Sequence, residues 1–231
     1  MLNSAETIVK VREHQKETLL AFSTGKDAIC AWLAIRDHFD KVHPYFLYLV
    51  PGLEFVEESL AYYEKFFGVK ITRLPHPSLY RMLNGLTFQP PERVAIIKQA
   101  KLPLFDYSDI RRVMVEDHAL QKDILVADGV RAADSPMRNV SLQRSSSINM
   151  GPKKYHPIWD WKKADIIACL NKNRIKLPED YKMFGRTFDG LDIRFLLPIK
   201  KQRPNDFKKL LEWFPLADLE IFRWEQANGK N

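Results

Sequence analysis

The segment Phe22-Ser23-Thr24-Gly25-Lys26-Asp27-Ala28 joins a short apolar run to an apolar helical stretch and has the composition of an anion cradle. Gly25 permits close backbone approach, Ser23 and Thr24 offer hydroxyl donors, and Lys26 offers positive charge. A helix opening at Asp27–Ala28 would add its N-terminal dipole. This set suits phosphate. A second candidate is the strand end Asp128–Arg131, where an arginine beside a glycine can neutralise and orient phosphate oxygens bidentately. The first turn is not a Walker A loop, because G-x-x-x-x-G-K-S/T is absent, and there is no G-x-G-x-x-G.

The elements that would position these residues alternate. Ser4 can cap a helix to about Glu17, and TLLAF (Thr18–Phe22) has the length of a buried strand. A helix over Ala28 to about Phe39 is apolar around most of its circumference, so it must pack between layers. YFLYLV (Tyr45–Val50) reads as a strand, Glu54–Phe67 as a helix ended by a left-handed Gly68, and VKITRL (Val69–Leu74) as a strand. Pro75–Pro91 is rich in turn formers and predicts a long, partly irregular excursion. A helix around Ser108–Ala119 leads to the strand DILVAD (Asp123–Asp128). Arg131–Pro152 has little periodicity and predicts a mobile active-site loop. An extended KYHPI (Lys154–Ile158), a helix over about Trp161–Asn171 and a Pro- and charge-rich tail with a helix at Pro204–Phe214 complete the chain. This alternation predicts an α/β fold, a mostly parallel sheet with helices on both faces and a C-terminal helical extension. The expected boundaries are a nucleotide-binding domain over residues 1–173 and a basic extension over residues 174–231 packed on or beside it.

At 231 residues, with 45% hydrophobic and 28% charged residues, the chain can bury a substantial core. Residues 1–150 carry 19 Lys and Arg against 18 Asp and Glu, a net +1, whereas residues 151–231 carry 17 against 11, a net +6. A positive field there favours anionic partners such as nucleotides, nucleic acid or an acidic protein. Lys200, Lys201, Arg203, Lys208 and Lys209 cluster around the Pro204 helix beside Phe207 and Trp213, an arrangement able to track a nucleic-acid backbone and stack on bases. Equally, Phe207, Leu210, Leu211 and Phe214 could face the core while the lysines face water.

The longest apolar run, Ala28–Ile35, is far shorter than the ~20 residues of a membrane span, and the N-terminus lacks a signal-peptide apolar region. A cytoplasmic protein without membrane contact is expected. Cys30 and Cys169 fall in apolar or helical patterns and read as small buried hydrophobes in a reducing compartment. The six histidines show no zinc spacing, so no protein metal site is expected, and no general base stands out.

STGKDA resembles the SGGKDS signature of PP-loop ATP pyrophosphatases, and three further segments follow in the order found in the phosphoadenosine phosphosulfate reductase family. LYLVPGLEFVEE (Leu47–Glu58) is similar to that family's second-strand motif, ILVADGVRAADSPMR (Ile124–Arg138) to its GxRxxES segment, and HPIWDWKKADIIACL (His156–Leu170) to its P-L-x-D-W element. The resemblance covers roughly Leu19–Leu170. It implies an adenine nucleotide alpha-hydrolase-like fold that takes ATP with Mg²⁺ carried on the nucleotide. Ser23, Gly25 and Asp27 would lie at the phosphates and Gly52 near the adenosine, with Gly129, Arg131 and Arg138 closing over phosphate or substrate. Thr24 would line the phosphate loop, and Lys26, Asp27 and Arg131 would carry the catalysis.

Departures narrow the activity. Thr24 replaces the family's first loop glycine, Ala28 its final serine, and Val50-Pro51-Gly52 stands where Asp-Thr-Gly is usual. The reductases attack sulfur with a C-terminal cysteine thiolate, whereas no cysteine follows Cys169 here. Two cysteines are also too few for an iron–sulfur cluster. A stand-alone reductase is therefore not expected. The expectation is an enzyme that splits ATP between the α and β phosphates and adenylates an acceptor. Its rivals are a partner-dependent component of a sulfur-transfer or nucleic-acid modification system and a regulatory nucleotide-binding module without turnover.

Overall fold

A computed structural model describes residues 2–229 and resolves the chain into two compact units. The first comprises residues up to Phe46, Phe67–Leu74 and Tyr107–Leu177; the second comprises Leu47–Phe66, Pro75–Asp106 and the chain from Pro178 onward.

The first unit carries α1 (Ser4–His14), β1 (Glu17–Ala21), α2 (Lys26–Ile35) and most of β2 (Lys41–Tyr48). Asn3, not Ser4, caps α1, in a reciprocal box with Glu6. The helix α3 (Glu54–Phe67) lies almost entirely in the second unit and ends, as its glycine demands, at a left-handed Gly68 with φ 71°. β3 (Thr72–Pro75) follows. In the second unit come α4 (Pro77–Asn84) and α5 (Pro91–Ala100), and the chain returns to the first with α6 (Tyr107–Asp117), β4 (Val126–Ala127), α7 (Pro136–Ser145), β5 (Ile148–Asn149), β6 (Lys154–Tyr155) and α8 (Lys163–Lys172). The C-terminal segment is helical: α9 (Glu179–Phe184), α10 (Ile193–Gln202), α11 (Pro204–Trp213) and α12 (Asp218–Asn228).

The six strands form one sheet in the order β3-β2-β1-β4-β6-β5. β1 pairs in parallel with β2 and β4, β4 in parallel with β6, and β5 closes the edge antiparallel to β6. The fold is therefore α/β with a mostly parallel sheet and a helical C-terminal segment, as the alternation implies. Leu19, Leu20, Ile29 and Ile35 are fully buried, and Phe22, Trp32 and Phe67 form a ring cluster behind the first turn. In the second unit Phe55, Phe184, Phe188 and Phe195 pack edge to face.

Two expectations are corrected. The strand expected over Asp123–Asp128 pairs only at Val126–Ala127, because the Gln15 side chain takes both backbone groups of Leu125: Leu125 N–H donates to Oε1 (2.7 Å) and Nε2 donates to its carbonyl (3.2 Å). The region 131–152 is not an aperiodic loop but contains α7, started by Ser135, whose hydroxyl accepts from Arg138 N–H, and by Pro136 in the first turn. Pro75–Pro91 is partly irregular as expected, with α4 in its first half capped by His76 Nδ1, which accepts from Ser78 N–H.

Candidate functional site

The chain leaves β1 to build β2 and β3 on one side, then returns to place β4 on the other. In open α/β sheets the crevice outside the carboxyl ends of the strands at such a reversal is where ligands bind, because the loops on either side part there. Leu19 stands opposite Val126 and Leu20 opposite Ala127, so the two loops that flank this crevice are Ser23–Gly25 and Asp128–Arg131. These are the two segments whose residue types suit phosphate.

They meet through Gly129. A β-carbon there would lie 2.8 Å from both the Asp27 carbonyl carbon and the Ala28 nitrogen, so any other residue would push the second loop off the first turn of α2. Two residues on, Arg131 is buried, with 7% of its side chain exposed. Its Nη2 donates to Asp134 Oδ1 (2.7 Å) and its Nη1 to the Trp161 carbonyl (3.3 Å). Its Nε lies 2.8 Å from Asp27 Oδ1, an ion-pair separation in which neither buried atom completes a hydrogen bond. Lys26 Nζ donates to the other Asp27 oxygen at 2.8 Å. One carboxylate thus stands between two cations at the start of a helix whose N-cap, Gly25, provides no side-chain hydrogen bond. The first-turn N–H groups and the cations together can stabilise a polyanion.

Within the loop, the left-handed conformation falls on Thr24 and not on the neighbouring glycine. Gly25 has φ −67° and ψ 154°, which any residue adopts, whereas Thr24 takes φ 60°. A β-branched residue in the left-handed region is strained by about 1–2 kcal/mol. Thr24 is buried, and its hydroxyl donates to the Ser23 carbonyl at 2.6 Å; Ser23 itself is exposed. The backbone thus holds a shape suited to glycine although threonine occupies it.

Arg138 joins the group indirectly: its Nη1 donates to Asp134 Oδ2 at 2.7 Å, so Asp134 bridges Arg131 and Arg138. Gly52 belongs to the second unit, in the turn before α3, with φ 73°. Its carbonyl accepts from Lys209 Nζ at 2.9 Å. The basic cluster of the C-terminal segment lies in the same unit and is largely paired. Lys200 bonds Asp218, Arg203 bonds Glu58 through both terminal nitrogens, and Lys209 also reaches Glu54. Phe207, Leu210 and Phe214 are buried, while Leu211 is half-buried. Asp206, almost fully buried, accepts from Glu54 N–H and Phe55 N–H and so caps α3.

Two features were not found in the sequence. Asp128 and His156 pair, with Oδ1 and Nδ1 2.6 Å apart. Each directly follows a strand, β4 or β6, so adjacency of those strands brings them together; only the strand order, which no local pattern specifies, could have revealed it. Cys30 on α2, whose thiol reaches the Ile166 carbonyl at 3.8 Å, also interacts with Cys169 on α8. That interaction lowers the Cys169 thiol to about 7 and, with burial, raises Cys30 far above the usual thiol range. Burial likewise raises the Tyr45 hydroxyl, with the Asp128 charge adding to it, so Tyr45 stays protonated.

No family model matches the sequence, and no curated protein matches it. Solved structures similar to the chain include the U34-tRNA thiolase NcsA from Methanococcus maripaludis with its 4Fe-4S cluster, at 11% identity over 92% of this chain and 78% of that one, with a TM-score of 0.46. A phosphoadenylyl-sulfate reductase from Candida auris in a phosphate complex is 12% identical over 82% of this chain and 88% of its own, with a TM-score of 0.47. An NH3-dependent NAD synthetase from Campylobacter jejuni subsp. jejuni in complex with nitrate is 12% identical over 95% and 92%, with a TM-score of 0.46.

Proposed function

We propose that the chain binds ATP at the carboxyl ends of β1 and β4, cleaves it between the α and β phosphates and transfers the adenylyl group to an acceptor. The observation that carries this reading is the contact of Gly129 with Asp27 and Ala28, which joins a phosphate-suited turn to a buried arginine at the sheet's point of reversal. Ser23 and the first-turn N–H groups of α2 would hold phosphate oxygens, and Lys26 and Arg131 would offset the negative charge that grows on them as the bond to pyrophosphate breaks. Arg138 would join once Asp134 shifts its pairing towards the ligand.

Magnesium fits as a group carried by the nucleotide. Among the described residues no group of three or more His, Cys, Asp or Glu side chains could hold a metal ion, so phosphate oxygens and water would supply most ligands. Asp27, whose Oδ1 makes no hydrogen bond, would have to give up its ion pair with Arg131 to join them. Bound there, the ion would supply charge neutralisation on the leaving pyrophosphate.

The test is to incubate the protein with ATP and Mg²⁺ and separate the nucleotide products. AMP with pyrophosphate supports the reading. ADP with phosphate contradicts it, and tight binding without either product marks a nucleotide-binding module.

A further inference from the structure

We propose that His156, held by Asp128, is the base that takes the proton of the acceptor as its oxygen displaces pyrophosphate; this rests on the nucleotide reading above. In that step the acceptor oxygen forms a bond to the α-phosphorus, the bond from that phosphorus to the bridging oxygen breaks, and its electron pair leaves with pyrophosphate. The acceptor's proton ends on His156 Nε2.

The placement follows from the sheet. Val126 pairs with Lys154 and Ala127 with Tyr155, so Asp128 and His156 are the next residues in register, at the carboxyl end beside the crevice. Asp128 N–H donates to the Tyr155 carbonyl, and Asp128 Oδ1 accepts from Val130 N–H at 3.1 Å, which fixes the carboxylate. His156 is fixed at both backbone groups: its N–H donates to the Ser147 carbonyl and its carbonyl accepts from Trp159 N–H. A carboxylate on Nδ1 favours the tautomer protonated there and leaves the Nε2 lone pair as the proton acceptor.

The segment after His156 is tied to the phosphate-suited residues. The Trp159 carbonyl accepts from Ala132 N–H at 2.7 Å and the Trp161 carbonyl from Arg131 Nη1 at 3.3 Å. On the other side, Asp128 immediately precedes Gly129, which abuts Asp27. The imidazole is therefore in the same loop network as Arg131, with 12% of its side chain exposed. A proton acceptor is the one role that Ser23, Lys26, Asp27 and Arg131 do not fill, because the carboxylate among them is paired with two cations.

The test uses the full chain with ¹⁵N-labelled histidine rings, Mg²⁺ and α,β-methylene-ATP, whose bridging carbon prevents cleavage. We expect His156 protonated on Nδ1, a change of tautomer in Asp128→Asn, and a shift of the His156 Nε2 resonance when the analogue binds. With ATP, His156→Gln should keep its affinity within about twofold and form AMP at least about 100-fold more slowly than wild type, the range of a lost general base. A dyad that only clamps β4 to β6 would leave the rate of the folded variant unchanged. His156 protonated on Nε2, an unmoved Nε2 resonance with the analogue bound, or wild-type turnover in His156→Gln overturns the proposal. Absence of analogue binding to wild type, read separately by calorimetric titration, overturns the nucleotide reading itself.

Discussion

Gly129 and Asp27 approach so closely that a β-carbon on the glycine would lie 2.8 Å from the Asp27 carbonyl carbon and 3.1 Å from its Cβ. Main-chain atoms meet there, and neither side can rotate away as a flexible side chain would. Gly129→Ala should therefore lose on the order of 1–3 kcal/mol of folding stability, as for overpacking elsewhere in cores, and weaken ATP binding as well. Urea unfolding and an ATP titration check both. An alanine variant with wild-type stability and affinity would show that the two loops are not held together in this way.

Thr24 carries a strain that glycine would lack. Both Thr24→Gly and Thr24→Ala remove the buried hydroxyl and methyl, but only alanine keeps a β-carbon at φ 60°. The glycine variant should be the more stable of the two by about 1 kcal/mol. Denaturant midpoints for the two variants measure this difference directly, and an alanine variant as stable as the glycine one would remove the strained turn from the account.

Arg131 answers two carboxylates, of Asp27 and Asp134, and the Trp161 carbonyl with the three nitrogens of one planar group, which a lysine cannot reproduce. Arg131→Lys should weaken ATP binding at least about tenfold, a loss of about 1.4 kcal/mol. Arg131→Met should in addition destabilise the fold by about 3 kcal/mol, because it strands partly buried carboxylates without their partner. Equal affinity in wild type and Arg131→Lys would place the phosphates elsewhere.

The cysteine pair makes a prediction about reactivity that is separate from nucleotide binding. Cys169 is lowered to about 7 chiefly by its interaction with Cys30. Its alkylation rate should therefore rise through pH 7 in wild type, and in Cys30→Ala the midpoint should move up towards that of an ordinary thiol near 8.5. Neither Cys30→Ala nor Cys169→Ala should abolish ATP binding or AMP formation. A Cys169 midpoint unmoved by Cys30→Ala would contradict that origin of the shift.

The parts of this arrangement that were legible in the sequence are those set by local chemistry. The apolar run Thr18–Phe22, the helix from Glu54 and the left-handed Gly68 are readable because strand length, helical spacing and a terminating glycine are local signals. The Ser23–Asp27 turn and Gly129–Arg131 were each readable as phosphate-suited for the same reason. Three things were not readable, two of them for non-local causes. Gln15 displaces the start of the β4 ladder from 110 residues away in sequence. The helix α7 has few buried residues, Leu142 alone among the ten, so it leaves no apolar stripe to detect. The Asp128–His156 pair depends on β6 lying beside β4. The left-handed turn at Thr24 leaves no signal in composition, because threonine adopts it against its own preference.

The most direct measurement of the central claim is calorimetric titration of ATP with Mg²⁺ into wild type and Gly25→Asp. Gly25 stands at the N-cap of α2 with φ −67°, a conformation open to any residue, so its replacement need not disturb the backbone. Aspartate there would add bulk and negative charge where the β1 turn faces phosphate. The account predicts that wild type binds ATP and that a Gly25→Asp variant, shown folded by circular dichroism, loses that binding. Wild-type affinity in the folded variant, or no ATP binding by wild type, would contradict it.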